Sequence, residues 1–198
     1  METKQIKVTV ADPTTLGVFG LAMITLVASS QKLGITDGLG FVLPWAFLLG
    51  GVAQLIASVF DFKHDNLFGA TAFGAYGLFW VGMGMSWLIK MGCFGATLAA
   101  SADTRQLGFV FAGYCVFTIV LVISALKLSK VMFFLLSLIV LLFASLSLEA
   151  FGCGRVWHSI AAYSEITISL LAFYFLSAKY LNTFFGKQIL RVGKPFIQ

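Results

Sequence analysis

"GGVAQLIASVFDFKHDNLFGATAFGAYGLFW", residues Gly50 to Trp80, decides the fold. Two apolar runs flank one charged knot, Asp61 to Asn66. The knot reads as a tight turn, with Asn66 a natural N-cap for the run that follows it. Each run approaches the roughly 20 residues a helix needs to cross about 30 Å of hydrocarbon. The stretch is therefore a membrane helical hairpin.

The same pattern extends over the chain. Of its 198 residues 60% are hydrophobic and 11% charged, where soluble domains carry about 25% charged residues; mean hydropathy is +0.98. So apolar a chain needs the bilayer as its solvent. Six runs stand out, at 15–30, 39–60, 67–89, 107–126, 131–148 and 157–178. All are expected to be helical, because lipid satisfies no backbone hydrogen bonds and no barrel alternation is present. The fold class is an all-α integral membrane protein, one six-helix domain spanning 1–198. The first and fifth runs are short and draw on flanking residues.

Six spans place both termini on one side. Nine basic residues share that side (Lys4, Lys7, Lys63, Lys127, Lys130, Lys179, Lys187, Arg191, Lys194) against four on the other (Lys32, Lys90, Arg105, Arg155). Short tails and both termini are accordingly expected in the cytoplasm, in a prokaryotic inner or plasma membrane. The start, "METKQIKVTVADP", lacks the apolar core and cleavage site of a removable signal. The net charge of +5 does not indicate nucleic acid, since the basic residues form no contiguous patch.

The exceptions to plain apolar sequence carry the functional information. Asp12 and Pro13 read as N-cap and first residue of span one. Gln54 lies near mid-membrane between Gly50 and Ser58, where an amide needs either a neighbouring helix or a wet cavity. Ala70, Gly74, Gly77 and Gly84 share one stripe of span three, a face for close helix packing. Tyr76 points about 120° away, alongside Ala72, Phe79 and Met83, too deep for an interfacial tyrosine. Glu165 in span six suits a proton-linked role or a structural bond to a neighbouring helix. His64 and His158 fall in loops, solvated rather than liganding. Cys93, Cys115 and Cys153 show no metal or redox spacing and read as single thiols, with a Cys93–Cys153 disulfide left open because both fall near the same side. Nothing resembles a metal site, a nucleophile with its base or a phosphate loop, so neither catalysis nor a cofactor is expected. No lysine or arginine falls within the six runs, which suits a conduit from which solute must also leave.

Several motifs resemble the acetate uptake transporter family, whose bacterial members are succinate–acetate permeases. "DPTTLG" resembles its N-P-A-P-L-G signature, and Gly50 to Trp80 resembles its span two to span three block. Gly-Gly-x-Ala-Gln, Asn-x-Phe-Gly-x-Thr-Ala-Phe and Tyr-Gly-x-Phe-Trp all stand in register, and "LNTFFGKQIL" matches the ending. The resemblance implies a ring-shaped homohexamer in membrane lipid, with one acetate or succinate path per protomer. It also implies a hydrophobic constriction, carried over to Leu21, Tyr76 and Ile139. Three departures stand out: Asp12 for the signature asparagine, Leu21 for an aromatic, and Glu165 without a counterpart. On this basis neutral donors line the path: helix starts near Asp12–Pro13 and Asn66, with Gln54, Thr71 and the Tyr76 hydroxyl. Two other classes stay open, a channel for a neutral solute such as urea or an amide, and a non-transporting membrane partner.

Overall fold

A computed structural model describes residues 10–197. Lys4 and Lys7, which entered the orientation count, lie outside the described residues. Within them are six helices, each long and apolar enough to span a membrane: α1 Thr14–Lys32, α2 Val42–Lys63, α3 Leu67–Lys90, α4 Thr104–Ala125, α5 Lys130–Ala150 and α6 Val156–Phe184. A short helix, Ala96–Ser101, interrupts the α3–α4 connection.

Local chemistry sets most of the boundaries. Asn66 accepts the Gly69 N–H at 3.2 Å and starts α3. Asp103 accepts the Arg105 N–H at 2.9 Å ahead of α4, and Ser129 accepts the Met132 N–H at 3.2 Å ahead of α5. The α1 start differs from expectation by one residue. Pro13 itself holds the cap position, while Asp12 Oδ1 accepts the Thr14 N–H at 2.9 Å from outside the helix. At the α2–α3 turn Asp65 adopts φ 56°, a left-handed conformation that an aspartate tolerates at modest cost.

Helix α2 is not uniform. Pro44 falls in its first turn, where no N–H is required of it, and residues Ala46–Ala53 wind as a π-helix before α-geometry resumes at Gln54. Such widened turns cluster at functional sites. The helices neighbour one another in the cyclic order α3, α2, α1, α6, α5, α4, with a sparser α4–α3 seam closing the circle. That seam is held by hydroxyls and rings: the Tyr114 hydroxyl donates to the Ala75 carbonyl at 2.8 Å, and Tyr76 stacks near Tyr114 with ring centres 6.4 Å apart.

The small-residue stripe of α3 faces α2. A methyl group at Gly77 would lie 3.0 Å from Leu55 Cγ, and one at Gly84 2.7 Å from the Phe47 ring. Ser58 crosses the same interface, donating to the Ala70 carbonyl at 2.6 Å. The tightest approach to backbone is elsewhere, where α1 meets the π-helical turn. A methyl at Gly20 would run into the Leu49 carbonyl oxygen and crowd Gln54 Cγ. Because the obstacle is backbone, Gly20→Ala should cost about 1–3 kcal/mol. Thermal unfolding of the detergent-solubilised protein should then shift down by about 2–12 °C.

The C-terminal segment is strapped back over the bundle. Asn182 Oδ1 accepts from the Ile189 and Leu190 N–H groups while its amide donates to the Leu190 carbonyl. Val131 and Phe196 then pair with Val192 and Leu126 through backbone hydrogen bonds of 3.0 and 2.9 Å.

Candidate functional site: two cavities and a partition

The ring of helices encloses two cavities, one towards each end. The near cavity, at the end carrying both termini, has a volume of about 360 Å³. Because the helices alternate in direction, it is where α1, α3 and α5 begin, and Thr14, Asn66 and Ser129 all line it. Three helix N-termini therefore present their positive dipole ends to one space. Lys179 and Asn182 of α6 complete its mouth. The far cavity, about 370 Å³, is lined by Lys32, Lys90, Glu149, His158 and Glu165 over an aromatic wall that includes Trp80 and Trp87.

Between them lies a thin apolar partition. Leu21, Tyr76 and Ile139 line the near cavity at its inner end. Phe79 and Leu142, each three residues further along the same helices, line the far one. Three residues of helix rise about 4.5 Å, so roughly one turn of side chains separates the two spaces. Rings fill that turn: Phe143 stacks against Tyr76 at 6.3 Å and meets Phe79 edge-on at 5.0 Å.

The Tyr76 hydroxyl is not a loose donor. It lies 2.9 Å from Thr118 Oγ1, and Thr118 spends its one proton on the Tyr114 carbonyl at 2.7 Å. Tyr76 must therefore donate to Thr118. The hydroxyl expected as a donor to solute is thus engaged within the protein, and Tyr76 borders the near cavity with that proton already used.

Among the described residues Gln54, Asp61 Oδ2 and Ser145 Oγ are buried without a hydrogen-bond partner, and Gln54 is the one in which both polar atoms are unmatched. It is 0% exposed, lines the near cavity, and neither its Oε1 nor its Nε2 has a hydrogen-bond partner. Leaving a buried polar group unpaired costs about 1–3 kcal/mol. The absent side chain of Gly20 makes room for its stem, and the end of the π-helical turn sets its direction. Asn66 lines the same cavity, but its amide is partly engaged, donating to Asp61 Oδ1 at 2.9 Å. Asp61, buried at 1% exposure behind Asn66, was not singled out from sequence.

Other expected path residues fall elsewhere. Thr71 is exposed on the outer surface of α3, away from both cavities. Pro13 is buried at the helix start and lines neither. Asp12 sits just outside the mouth in an ion pair with Lys179 at 2.9 Å. Burial pushes its carboxyl up, but the hydrogen bonds from Thr14 and Lys179 outweigh that and hold it below the usual carboxylate range. The signature position's negative charge is thus matched by a cation.

The six apolar runs hold no lysine or arginine, yet cations still line both cavities. Helices α1 and α6 run beyond the apolar runs, so Lys32 and Lys179 sit on helices and line the far and near cavities. Glu165 forms an ion pair with Lys32, Nζ to Oε2 2.7 Å, in place of a neutral bond to a neighbouring helix. His158 lies on α6 rather than in a loop, between Glu149 Oε1 at 2.7 Å and the Lys32 carbonyl at 3.0 Å. Cys93 and Cys153 are exposed free thiols.

Residues 2–191 match the GPR1/FUN34/yaaH family, and the chain belongs to that family. An uncharacterized protein of Methanothermobacter thermautotrophicus is 32% identical over 184 residues, 91% of this chain and 90% of that one. The succinate-acetate/proton symporter SatP of Escherichia coli is 29% identical over 185 residues, 93% of this chain and 96% of that one. The solved structure of the bacterial acetate channel SatP matches with a TM-score of 0.87 and 27% identity, covering 93% of this chain and 100% of that one. The family resemblance and the six-helix architecture expected from sequence both stand.

Proposed function

We propose that this member of the GPR1/FUN34/yaaH family is a membrane channel for acetate, and for succinate as a larger alternative, with one conduit through each protomer. The observation that carries it is the buried, unpartnered Gln54 amide in a cavity rimmed by three helix N-termini and Lys179. That space offers donors to a small anion without a buried unpaired cation to trap it. The partition at Leu21, Tyr76 and Ile139 then faces the methyl end of acetate with apolar surface.

Functional roles for Gln54, Asn66, Leu21, Tyr76 and Ile139 belong to this proposal. So do a homohexamer in lipid, both termini in the cytoplasm, and a transporter rather than an enzyme. Support for acetate comes from the likeness to SatP over nearly the whole chain. The apolar outer face of α4, with Val116, Val120 and Ile123 exposed, suits lipid or a neighbouring protomer.

Proteoliposomes holding the purified protein test it against the neutral-solute alternative. Acetate uptake should exceed that of protein-free vesicles and saturate, while urea uptake should match them. Urea flux without acetate flux would replace the anion with a neutral solute, and no flux of either would point to a non-transporting partner.

A further inference from the structure

The far cavity contains a charge arrangement that the conduction path as described does not use. Glu165 is 1% exposed, and the side chain that reaches it is Lys32, itself only 18% exposed. Its immediate neighbours on α6 are buried and uncharged: Ala161, Ala162, Ile168 and Ser169. The other ionisable groups facing this space are Glu149 from α5, His158 from α6 and Lys90 from α3. Glu149 and His158 satisfy each other at 2.7 Å, and the second ring nitrogen of His158 lies against the Lys32 carbonyl. The carboxylate on Lys32 is thus supplied by the protein itself, in the position a carboxylate solute would take.

We propose that the far cavity is a second carboxylate site, in which the solute's carboxylate displaces Glu165 from the Lys32 ammonium and Glu165 binds a proton as it is displaced. This rests on the carboxylate reading of the conduit. The reason is electrostatic. Breaking a buried ion pair by removing one partner is strongly destabilising, because the other charge is left uncompensated. Two carboxylates on one ammonium leave the same excess, in a cavity walled by Phe79, Trp80 and Leu142. A proton from the adjoining water, taken up on a Glu165 carboxylate oxygen, restores neutrality while Lys32 keeps all three of its protons. One proton is then bound for each anion seated.

Trp80 and Trp87 line the cavity and give the readout. Their emission is followed in the detergent-solubilised full chain as trifluoroacetate, which stays ionised throughout, and then acetate are titrated at several pH values. Wild-type affinity for trifluoroacetate should rise as pH falls, by up to about tenfold per pH unit, the limit for one linked proton. Glu165→Gln should bind as tightly as wild type at its acid end and show no pH slope. Lys32→Met should weaken binding by about tenfold or more at every pH, the size of a lost charge-assisted hydrogen bond. Should Lys32→Met fail to fold, the double variant Lys32→Met with Glu165→Gln leaves no unpaired charge and should bind weakly without a slope.

The proposal is overturned if Glu165→Gln keeps the wild-type slope, or if Lys32→Met or the double variant binds as wild type does. A slope lost in His158→Gln but kept in Glu165→Gln would assign the proton to the Glu149–His158 pair instead, against the proposal. Absence of acetate flux in the wild type defeats the carboxylate reading. Acetate flux with pH-independent trifluoroacetate binding defeats this inference alone.

Discussion

Tyr76→Ala is expected to join the two cavities and remove discrimination among small solutes. The phenol ring is 5% exposed and is packed by Tyr114, Phe117 and Phe143, so its loss opens the one-turn partition directly. Urea, which the wild-type protein is expected not to pass, should then enter proteoliposomes at least about tenfold faster, equivalent to lowering a barrier by about 1.4 kcal/mol, and succinate uptake should rise relative to acetate. Removing a buried aromatic also costs about 3–5 kcal/mol of stability, so flux is compared per molecule of folded protein. Tyr76→Phe separates ring from hydroxyl. It leaves Thr118 one partner short, at about 1 kcal/mol, but keeps the partition closed, and acetate flux should stay near wild type. A large loss of acetate flux in Tyr76→Phe would mean that the hydroxyl meets the solute and that its bond to Thr118 opens during passage.

Gln54→Leu is expected to separate function from stability. Neither amide atom of Gln54 is paired within the protein, so an apolar side chain of similar length removes an unmet desolvation cost. The variant should unfold at the same temperature as wild type or higher. If the amide meets the anion, its loss removes a hydrogen bond to a charged group, about 1.5–3 kcal/mol, and kcat/KM for acetate should fall roughly 10- to 100-fold. A stabilised variant with undiminished acetate transport would show that the amide faces water alone.

The fold was legible because bilayer physics leaves little choice. Six apolar runs separated by charged breaks can only be helices, and Asn66 announces the start of α3 through its cap. The stripe Ala70, Gly74, Gly77, Gly84 and the opposed Tyr76 face were also readable, because 100° per residue sorts the two. Hydropathy could not find the π-helical turn at Ala46–Ala53, since composition carries no trace of a shift in hydrogen-bond register. Nor could it say that α6 extends to Phe184, which is what brings Lys179 to the near cavity. Pairings between distant residues were invisible for the same reason: Lys32 with Glu165, Asp12 with Lys179 and Tyr76 with Thr118. Thr71 was misplaced because its neighbours suggested a path, whereas its own angle on α3 turns it outward.

Whether acetate passes through the near cavity is tested most directly by plugging it. Ala72, 6% exposed and part of the near-cavity lining, is replaced by cysteine after Cys93, Cys115 and Cys153 are changed to serine or alanine. Labelled acetate uptake into proteoliposomes is measured before and after reaction with a bulky thiol reagent, and the mass of the protein verifies the modification. Uptake should be intact before the reaction, abolished after it, and restored when a reductant releases the adduct. Unchanged acetate uptake through fully modified protein would contradict the account.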